Sequence, residues 1–517
     1  MELLRSPEFT AYVKNLLDRH HIPGLAIAII HDDYTDSVGF GKASLDPPKE
    51  CTGDTLFDVA SVSKALTAAS VALLIDDDYK YPLIKYDTPM ASLLPEDFVM
   101  PGGDHDDVTV EDVLSHRTGM PSHDHSYLGV TAAKPDDARS ITRNLRNLTV
   151  AAPNRAQYFY CNMMYTVAAY LVECKTGLPF SDFLQTHIFK PLDMNSTNLQ
   201  PEAARAKGLG DRFATGYFWD EKAEKYKILP CVDSPEATGA GRVISSANDY
   251  IKWIKAMVKK QAPITESIYE GLVKKRISEA PPVDSDDSES EEEAHSVPTF
   301  YAAGWEVLEY SGYTMITHDG ADHGFGSTNF FIPELNFGAV ILGNSNHASE
   351  VARILKYKMA DWAVRVPKSD TKRVLDSMAA HGSESESDND DHATISAEVE
   401  KELIEEMCPE TKEAEPQTLP LSAYVGEYWN DGYRGVKVEE KDGALYLDGS
   451  DRSMGFTIIF KHIRGQTMYI GYIGEAPYPE RTLIRADFKL EGDKAVEIGL
   501  QLEDELDDYI WFKRVEA

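Results

Sequence analysis

The spacing of apolar positions changes twice within the first 75 residues. Phe9, Tyr12, Val13, Leu16 and Leu17 recur every three or four residues behind Ser6-Pro7. That is one face of a helix, with serine as N-cap and proline in the first turn. Pro23-Gly24 ends it. Leu25 to Ile30 is an unbroken apolar run of strand length, His31-Asp32-Asp33 suits a hairpin tip, and Ser37 to Lys42 returns as a second strand. From Ala65 to Leu74 the chain is a run of strong helix formers, and Ser61 sits where that helix is expected to begin.

Between Ile75 and Asp249 the pattern is one of helices and Pro/Gly loops with few strand runs. Helices are expected over Val110 to Leu114, Met163 to Thr176 and Ala247 to Lys259. Strand periodicity returns at Gly304 to Glu309, Thr314 to His318, Ser327 to Ile332 and Phe337 to Asn344, with a turn at Pro333 to Asn336. Val351 to Val364 is a terminal helix. A sheet shared between chain beginning and chain end, with helices inserted, predicts one α/β (α+β) domain with an inset helical lobe. The seam between sheet and lobe is the natural cleft.

After Pro420 the chain is strand-rich. Val436 and Val438 alternate with charges, as do Ile498, Leu500 and Leu502, and turns such as Lys441-Asp442-Gly443 recur at short spacing. This predicts a small antiparallel β-barrel or sandwich. The expected organisation is a first domain over 1–366, an acidic linker over 367–418 with one helix at Ile395 to Met407, and a barrel over 419–517. There is no internal repeat.

The formal charge of −35, from 51 basic and 86 acidic residues, argues against nucleic acid and anionic membranes as partners. Much of the excess is local. Asp284 to Glu293 lies in a loop (282–297) expected to be disordered, and Glu384 to Asp391 is a second acidic run. Cys51, Cys161, Cys174, Cys231 and Cys408 are odd in number and scattered, which favours a reducing compartment. No basic n-region precedes an apolar run, and no apolar stretch is long enough to span a bilayer, so a cytoplasmic location is expected. No cofactor motif stands out. His123-Asp124-His125 with His105 lacks a second cluster at ligand spacing, so no metal is expected.

The candidate chemistry centres on Ser61-Val62-Ser63-Lys64. Serine and lysine three residues apart on a helix share a face, one turn apart, which brings an amine within reach of a hydroxyl. The helix start adds free N–H groups for a developing oxyanion. Serine, base and oxyanion donors together are what acyl transfer requires. Alone, S-x-x-K equally describes a surface turn with a solvated lysine, and Ser63 could be the N-cap instead.

Ser61-x-x-Lys64, Tyr160-Cys161-Asn162 and His318-Asp319-Gly320, in that order, resemble the serine β-lactamase/penicillin-binding-protein superfamily. The Y-C-N and H-D-G versions look like its class C branch (peptidase S12 type), with D,D-peptidases, D-aminopeptidases, family VIII esterases and fungal acyltransferases. Pro23 to Ala28, Leu114 to Pro121, Gly239 to Ser246 and Ala303-Gly304-Trp305 also resemble their counterparts there. The likeness spans about residues 5 to 365, and the C-terminal region is similar to the lipocalin-like domain appended to many such proteins. The resemblance implies a β-lactamase/transpeptidase-like sheet flanked by helices.

It also implies catalytic Ser61, Lys64 and Tyr160, with Asn162, His318, Gly320 and Ala321 binding substrate. Which of Lys64 and Tyr160 is the base stays open at this level. Asn162 would aim its amide at Lys64, or simply cap its helix. The oxyanion would sit between the N–H groups of Ser61 and Ala321. His318 replaces the lysine of K-T-G, and a switchable imidazole holds a carboxylate less firmly than an ammonium. That counts against penicillins and towards esters or amides. The expected activity is a serine hydrolase acting on a small molecule or short peptide. An acyltransferase is the second reading and a non-catalytic scaffold the third.

Overall fold

A computed structural model of the chain describes residues 2–102, 106–280, 297–365, 397–407, 416–475 and 478–516. Two compact units emerge, one from residues 1–119, 137–142 and 152–378, the other from 120–136, 143–151 and 379–517. Both acidic runs, and Cys408 and His105, lie outside the described residues.

The first unit is built on a nine-stranded antiparallel sheet. Its order is Pro48–Glu50, Tyr34–Leu45, Gly24–His31, Phe337–Gly343, Phe325–Ile332, Tyr313–Asp322, Glu306–Tyr310, Thr299–Tyr301 and Ile277–Ser278. The expected union of chain beginning and chain end is the central pair, running from Leu25 opposite Gly343 to His31 opposite Phe337. Both strands are apolar runs without alternation because helices cover both faces of the sheet. On one face Phe9, Val13 and Leu16 of Pro7–Arg19 and Leu355 and Met359 of Ala348–Val364 pack on Leu25, Ile27, Ile341 and Phe337. On the other lies Ala247–Lys259, close enough that a Cβ at Gly338 would stand 2.6 Å from Ile254. Burying a side chain of this size contributes about 1.5–3 kcal/mol, so this sheet is the rigid part of the unit.

Two small sheets were not legible in the apolar pattern. Gly216–Asp220 and Lys225–Leu229 form a hairpin. Val243–Ser246 pairs with both Leu56–Asp58 and Asn198–Leu199. These strands are two to five residues long, too short to show a period. The second of these sheets matters, because it carries the segment after Gly239 alongside the approach to Ser61.

The second unit contains a closed eight-stranded barrel from Gly426–Asn430 to Ile510–Arg514. Neighbouring strands pair in chain order, and Tyr428 opposite Arg514 and Trp429 opposite Lys513 join the last strand to the first. Closure leaves no edge exposed. Tyr424, Phe460, Tyr469 and Phe488 meet edge-on or tilted in its interior, with ring centroids 5.0–6.5 Å apart.

The His123-Asp124-His125 stretch belongs to this second unit and spends its nitrogens on hydrogen bonds. His123 is buried, with Nδ1 2.7 Å from Tyr433 Oη and Nε2 2.8 Å from the Thr149 carbonyl. Burial drives its pKa down to about 4. His125 Nε2 is 2.9 Å from a Glu475 carboxylate oxygen. Among the described residues no group of three or more His, Cys, Asp or Glu could hold a metal. No described helix is long and apolar enough to cross a membrane. Cys51, Cys161, Cys174 and Cys231 are free thiols.

Candidate active site

Strand Leu56–Asp58 leads through Val59 into a 3₁₀ turn, Ala60–Val62, and the α-helix proper spans Ser63–Asp76. The helix therefore starts two residues later than expected, and Ser61 sits in the turn that feeds it. Ser63 does not act as a side-chain cap; its Oγ accepts from the Val243 N–H at 3.2 Å. Ala60 has φ 49°, a left-handed conformation that costs a non-glycine residue roughly 1–2 kcal/mol. Four bonds over-determine the turn. Ala60 N–H donates to Asp58 Oδ1 (2.8 Å) and Val59 N–H to the Val243 carbonyl (2.9 Å). Ser327 Oγ donates to the Val59 carbonyl and Tyr250 Oη to the Val62 carbonyl, both at 2.8 Å.

Lys64, fully buried on the first turn of the helix, faces three oxygens: Ser61 Oγ at 3.0 Å, Asn162 Oδ1 at 2.8 Å and the Ala240 carbonyl at 2.9 Å. The last two can only accept. A neutral amine therefore meets them with its two N–H bonds and turns its lone pair towards Ser61, whereas an ammonium donates to all three. In either state the nitrogen is aimed. Its ζ-nitrogen also lies over the Tyr160 ring, 4.8 Å from the centroid.

Asn162 is the first residue of helix Asn162–Thr176, and the N-cap is Cys161. The reading of Asn162 as the helix cap is thereby corrected, since Cys161 holds that position; the Asn162 carbonyl oxygen accepts from Lys64, as the amide reading expected. Cys161, extended at φ −133°, takes the cap position and donates its N–H to His116 Nδ1 at 3.1 Å. His116 thus fixes the Y-C-N segment through the backbone. Its ring centroid is 4.3 Å from that of Tyr160, 4.7 Å from Tyr301 and 5.1 Å from Tyr165. Burial, helped by the Lys64 charge, holds its pKa well below the usual imidazole range.

Strand Tyr313–Asp322 pairs with Glu306–Tyr310 only through Thr317. Residues 318–322 overhang, paired on their other side with 325–329. Gly320 lies on this overhang, where a Cβ would stand 2.9 Å from the Val59 carbonyl and 3.1 Å from Ser61 N. Only glycine lets the strand approach the serine turn this closely. Ala321 is the next residue along. Gly320→Ala should therefore push the two apart, costing roughly 1–3 kcal/mol by overpacking. Turnover should fall roughly 10²-fold, because a shift near 1 Å is enough to misplace reacting groups. Ester kinetics beside a melting curve would check this; wild-type turnover in the variant would mean the overhang does not border the chemistry.

His318 departs from expectation. Rather than a switchable imidazole, it is a ring 2% exposed with both nitrogens engaged. Nδ1 donates to the Asp319 carbonyl at 2.6 Å, so Nε2 accepts from Tyr301 Oη at 2.9 Å. Burial, then the Lys64 charge, drives its pKa down to about 4, so it is neutral at pH 6 as well as at pH 8. Asp319 turns away and is held by Lys356 Nζ, 2.8 and 2.9 Å from its two oxygens. Burial pushes that carboxyl up, but Lys356 and Thr328 outweigh it and hold it below its usual range.

The fold thus brings Ser61, Lys64, Tyr160, Asn162, His318, Gly320 and Ala321 to one place. It adds Ala240, His116 and Tyr301, to which sequence reasoning gave no part in the site. The only signal for His116 and Ala240 was that Leu114 to Pro121 and Gly239 to Ser246 looked like family stretches, and Tyr301 had none.

Residues 9–385 match the family described as Beta-lactamase. The chain belongs to that family. Residues 410–514, which include the barrel, match a domain of unknown function, DUF3471. The chain is similar to the unguisins hydrolase ungD' of Aspergillus campestris, 32% identical over 514 residues, which span 98% of this chain and 91% of that protein. Among solved structures it resembles an octameric penicillin-binding protein homologue from Pyrococcus abyssi, with TM-score 0.54 and 18% identity over 97% of this chain and 98% of that one. It also resembles a D-amino acid amidase from Ochrobactrum anthropi, with TM-score 0.52 and 20% identity over 68% of this chain and 99% of that one.

Proposed function

We propose that the protein is a serine hydrolase that cleaves an ester or amide through an acyl-enzyme on Ser61. The observation that carries this is the fully buried Lys64 nitrogen, 3.0 Å from Ser61 Oγ and aimed there by Asn162 and Ala240. In acylation Ser61 Oγ bonds to the substrate carbonyl carbon while its proton passes to the Lys64–Tyr160 pair. The carbonyl oxygen takes the negative charge between the N–H groups of Ser61 and Ala321. Collapse breaks the bond to the alcohol or amine, which leaves with that proton. Water repeats the sequence and frees the acid. The relative that covers almost the whole chain is named a hydrolase, which supports water over an acceptor alcohol or amine.

The substrate in this reading is a small molecule or short peptide, uncharged near the scissile bond, since His318 brings no positive charge there. The catalytic domain is assigned to 1–366, the linker to 367–418 and a lipocalin-like barrel to 419–517, with a cytoplasmic location. Intact-mass detection of an adduct on Ser61 after exposure to p-nitrophenyl esters, D-amino-acid anilides and nitrocefin tests it. No adduct with any of them would overturn the mechanism.

A pH prediction follows from His318. Short-chain esters should be turned over at least 30-fold better than nitrocefin, the worth of about 2 kcal/mol for a missing charged anchor. Because His318 gains its proton only near pH 4, the ratio of the two kcat/KM values should stay flat from pH 8 to pH 6. A ratio that narrows steadily towards pH 6 would show that an imidazolium does reach the carboxylate.

A further inference from the structure

Arg242 has φ 65°, so a second non-glycine residue in the left-handed region stands near the strained Ala60. The two are close: the Cβ position of neighbouring Gly241 is 3.9 Å from the Ala60 carbonyl oxygen. Arg242 Nη1 lies 3.1 Å from Asp58 Oδ2 and 3.0 Å from Asp322 Oδ2. The remaining Asp58 oxygen accepts the Ala60 N–H at 2.8 Å. Asp322 ends the overhanging strand, one residue after Ala321. One guanidinium nitrogen therefore bridges two carboxylates: it donates to the one that holds the serine turn and forms an ion pair with the one at the strand end.

We propose that Arg242 is a positioning residue: through Asp58 and Asp322 it sets the spacing between the Ser61 turn and the Gly320-Ala321 strand end, and so the geometry of the oxyanion site. This rests on the reading of Ser61 as the nucleophile. The loop that carries Arg242 is anchored independently. Its Ala240 carbonyl accepts from Lys64 and its Gly239 carbonyl from Thr67 Oγ1 at 2.7 Å. A guanidinium on such a loop transmits position, and being always charged it keeps both carboxylates drawn to its one bridging nitrogen.

Stability alone does not account for the triad. The Asp58 side chain is fully buried, with Arg242 and Asp322 beside it and the Cys231 thiol near. Burial raises the Asp58 carboxyl to about 6, Asp322 adding to the rise and Arg242 opposing it. A carboxyl whose folded pKa exceeds its unfolded value weakens the fold as pH rises from about 4 through about 6. The charged triad is thus held at a cost to stability, as strain and buried charge at working sites commonly are.

The experiment measures three things at pH 8: the rate at which a fluorophosphonate probe labels Ser61, kcat and KM for p-nitrophenyl butyrate, and Tm. The probe's phosphoryl oxygen occupies the oxyanion position, so labelling reports that geometry directly. Arg242→Gln should slow labelling and lower kcat by roughly 10- to 100-fold with KM within about twofold. Arg242→Lys should recover part of the loss. Adding Asp322→Asn to Arg242→Gln should cost little more, since both act through one contact. Asp58→Asn should slow labelling without lowering Tm. If Arg242→Gln does not fold, Asp322→Asn, at a 21% exposed side chain, carries the test alone. Unchanged labelling in folded Arg242 and Asp322 variants, or losses that simply follow Tm, would overturn the proposal. If the parent protein is not labelled at Ser61 at all, the acyl-enzyme reading itself fails and this inference falls with it.

Discussion

Ser61→Ala should abolish labelling by a fluorophosphonate probe and lower kcat about 10⁴-fold or more, the usual scale when a nucleophile is removed. That loss corresponds to about 5.5 kcal/mol of barrier. The fold should survive it. The side chain makes one described hydrogen bond, to Lys64, and the turn is held by Asp58, Val243, Ser327 and Tyr250 instead. Melting temperature and circular dichroism should therefore match the parent. Labelling that persists unchanged in the variant would remove Ser61 from the mechanism and point to another serine.

Lys64 and Tyr160 should behave as one proton-transfer unit. Lys64→Arg should fail as badly as Lys64→Ala, because a guanidinium does not give up its proton at working pH. Lys64 Nζ already stands within 3.0 Å of oxygens of Ser61, Asn162 and Ala240, so a larger head would crowd them. Tyr160→Phe keeps the ring over the Lys64 nitrogen and removes only the hydroxyl, so it isolates proton transfer from packing. Each single change should cost about 10³-fold or more, and the double change hardly more than the worse single one. Multiplied losses, near 10⁶-fold, would show two independent contributions and make one of the residues a packing element.

The lengths of the large sheet and its helices were legible because long periodic segments carry their own signal. Helix Ala247–Lys259 lies where its apolar period places it, and the central strands lie where the runs at 25–30 and 337–344 place them. The hairpin at 216–229 and the pairing of Val243–Ser246 with Leu56–Asp58 were not legible, since pairs this short are set by what surrounds them. The acidic runs fall outside the described residues.

Sequence by itself also determined the order S-x-x-K, Y-C-N, H-D-G and hence the family, because motif order and residue type survive without knowledge of contacts. Tertiary structure alone decided the surroundings of each motif residue. It buries His318 and fills both its nitrogens, which turns an expected switchable imidazole into a neutral ring. It engages Asn162 with Lys64 and gives the helix cap to Cys161. It sends Asp319, between two site residues, to Lys356 on the other side of its strand, because neighbours in a strand face opposite ways. The physical reason is common to all three. Burial, charge neighbours and hydrogen-bond partners come from residues far away in the chain, and they set protonation and orientation that no local spacing encodes.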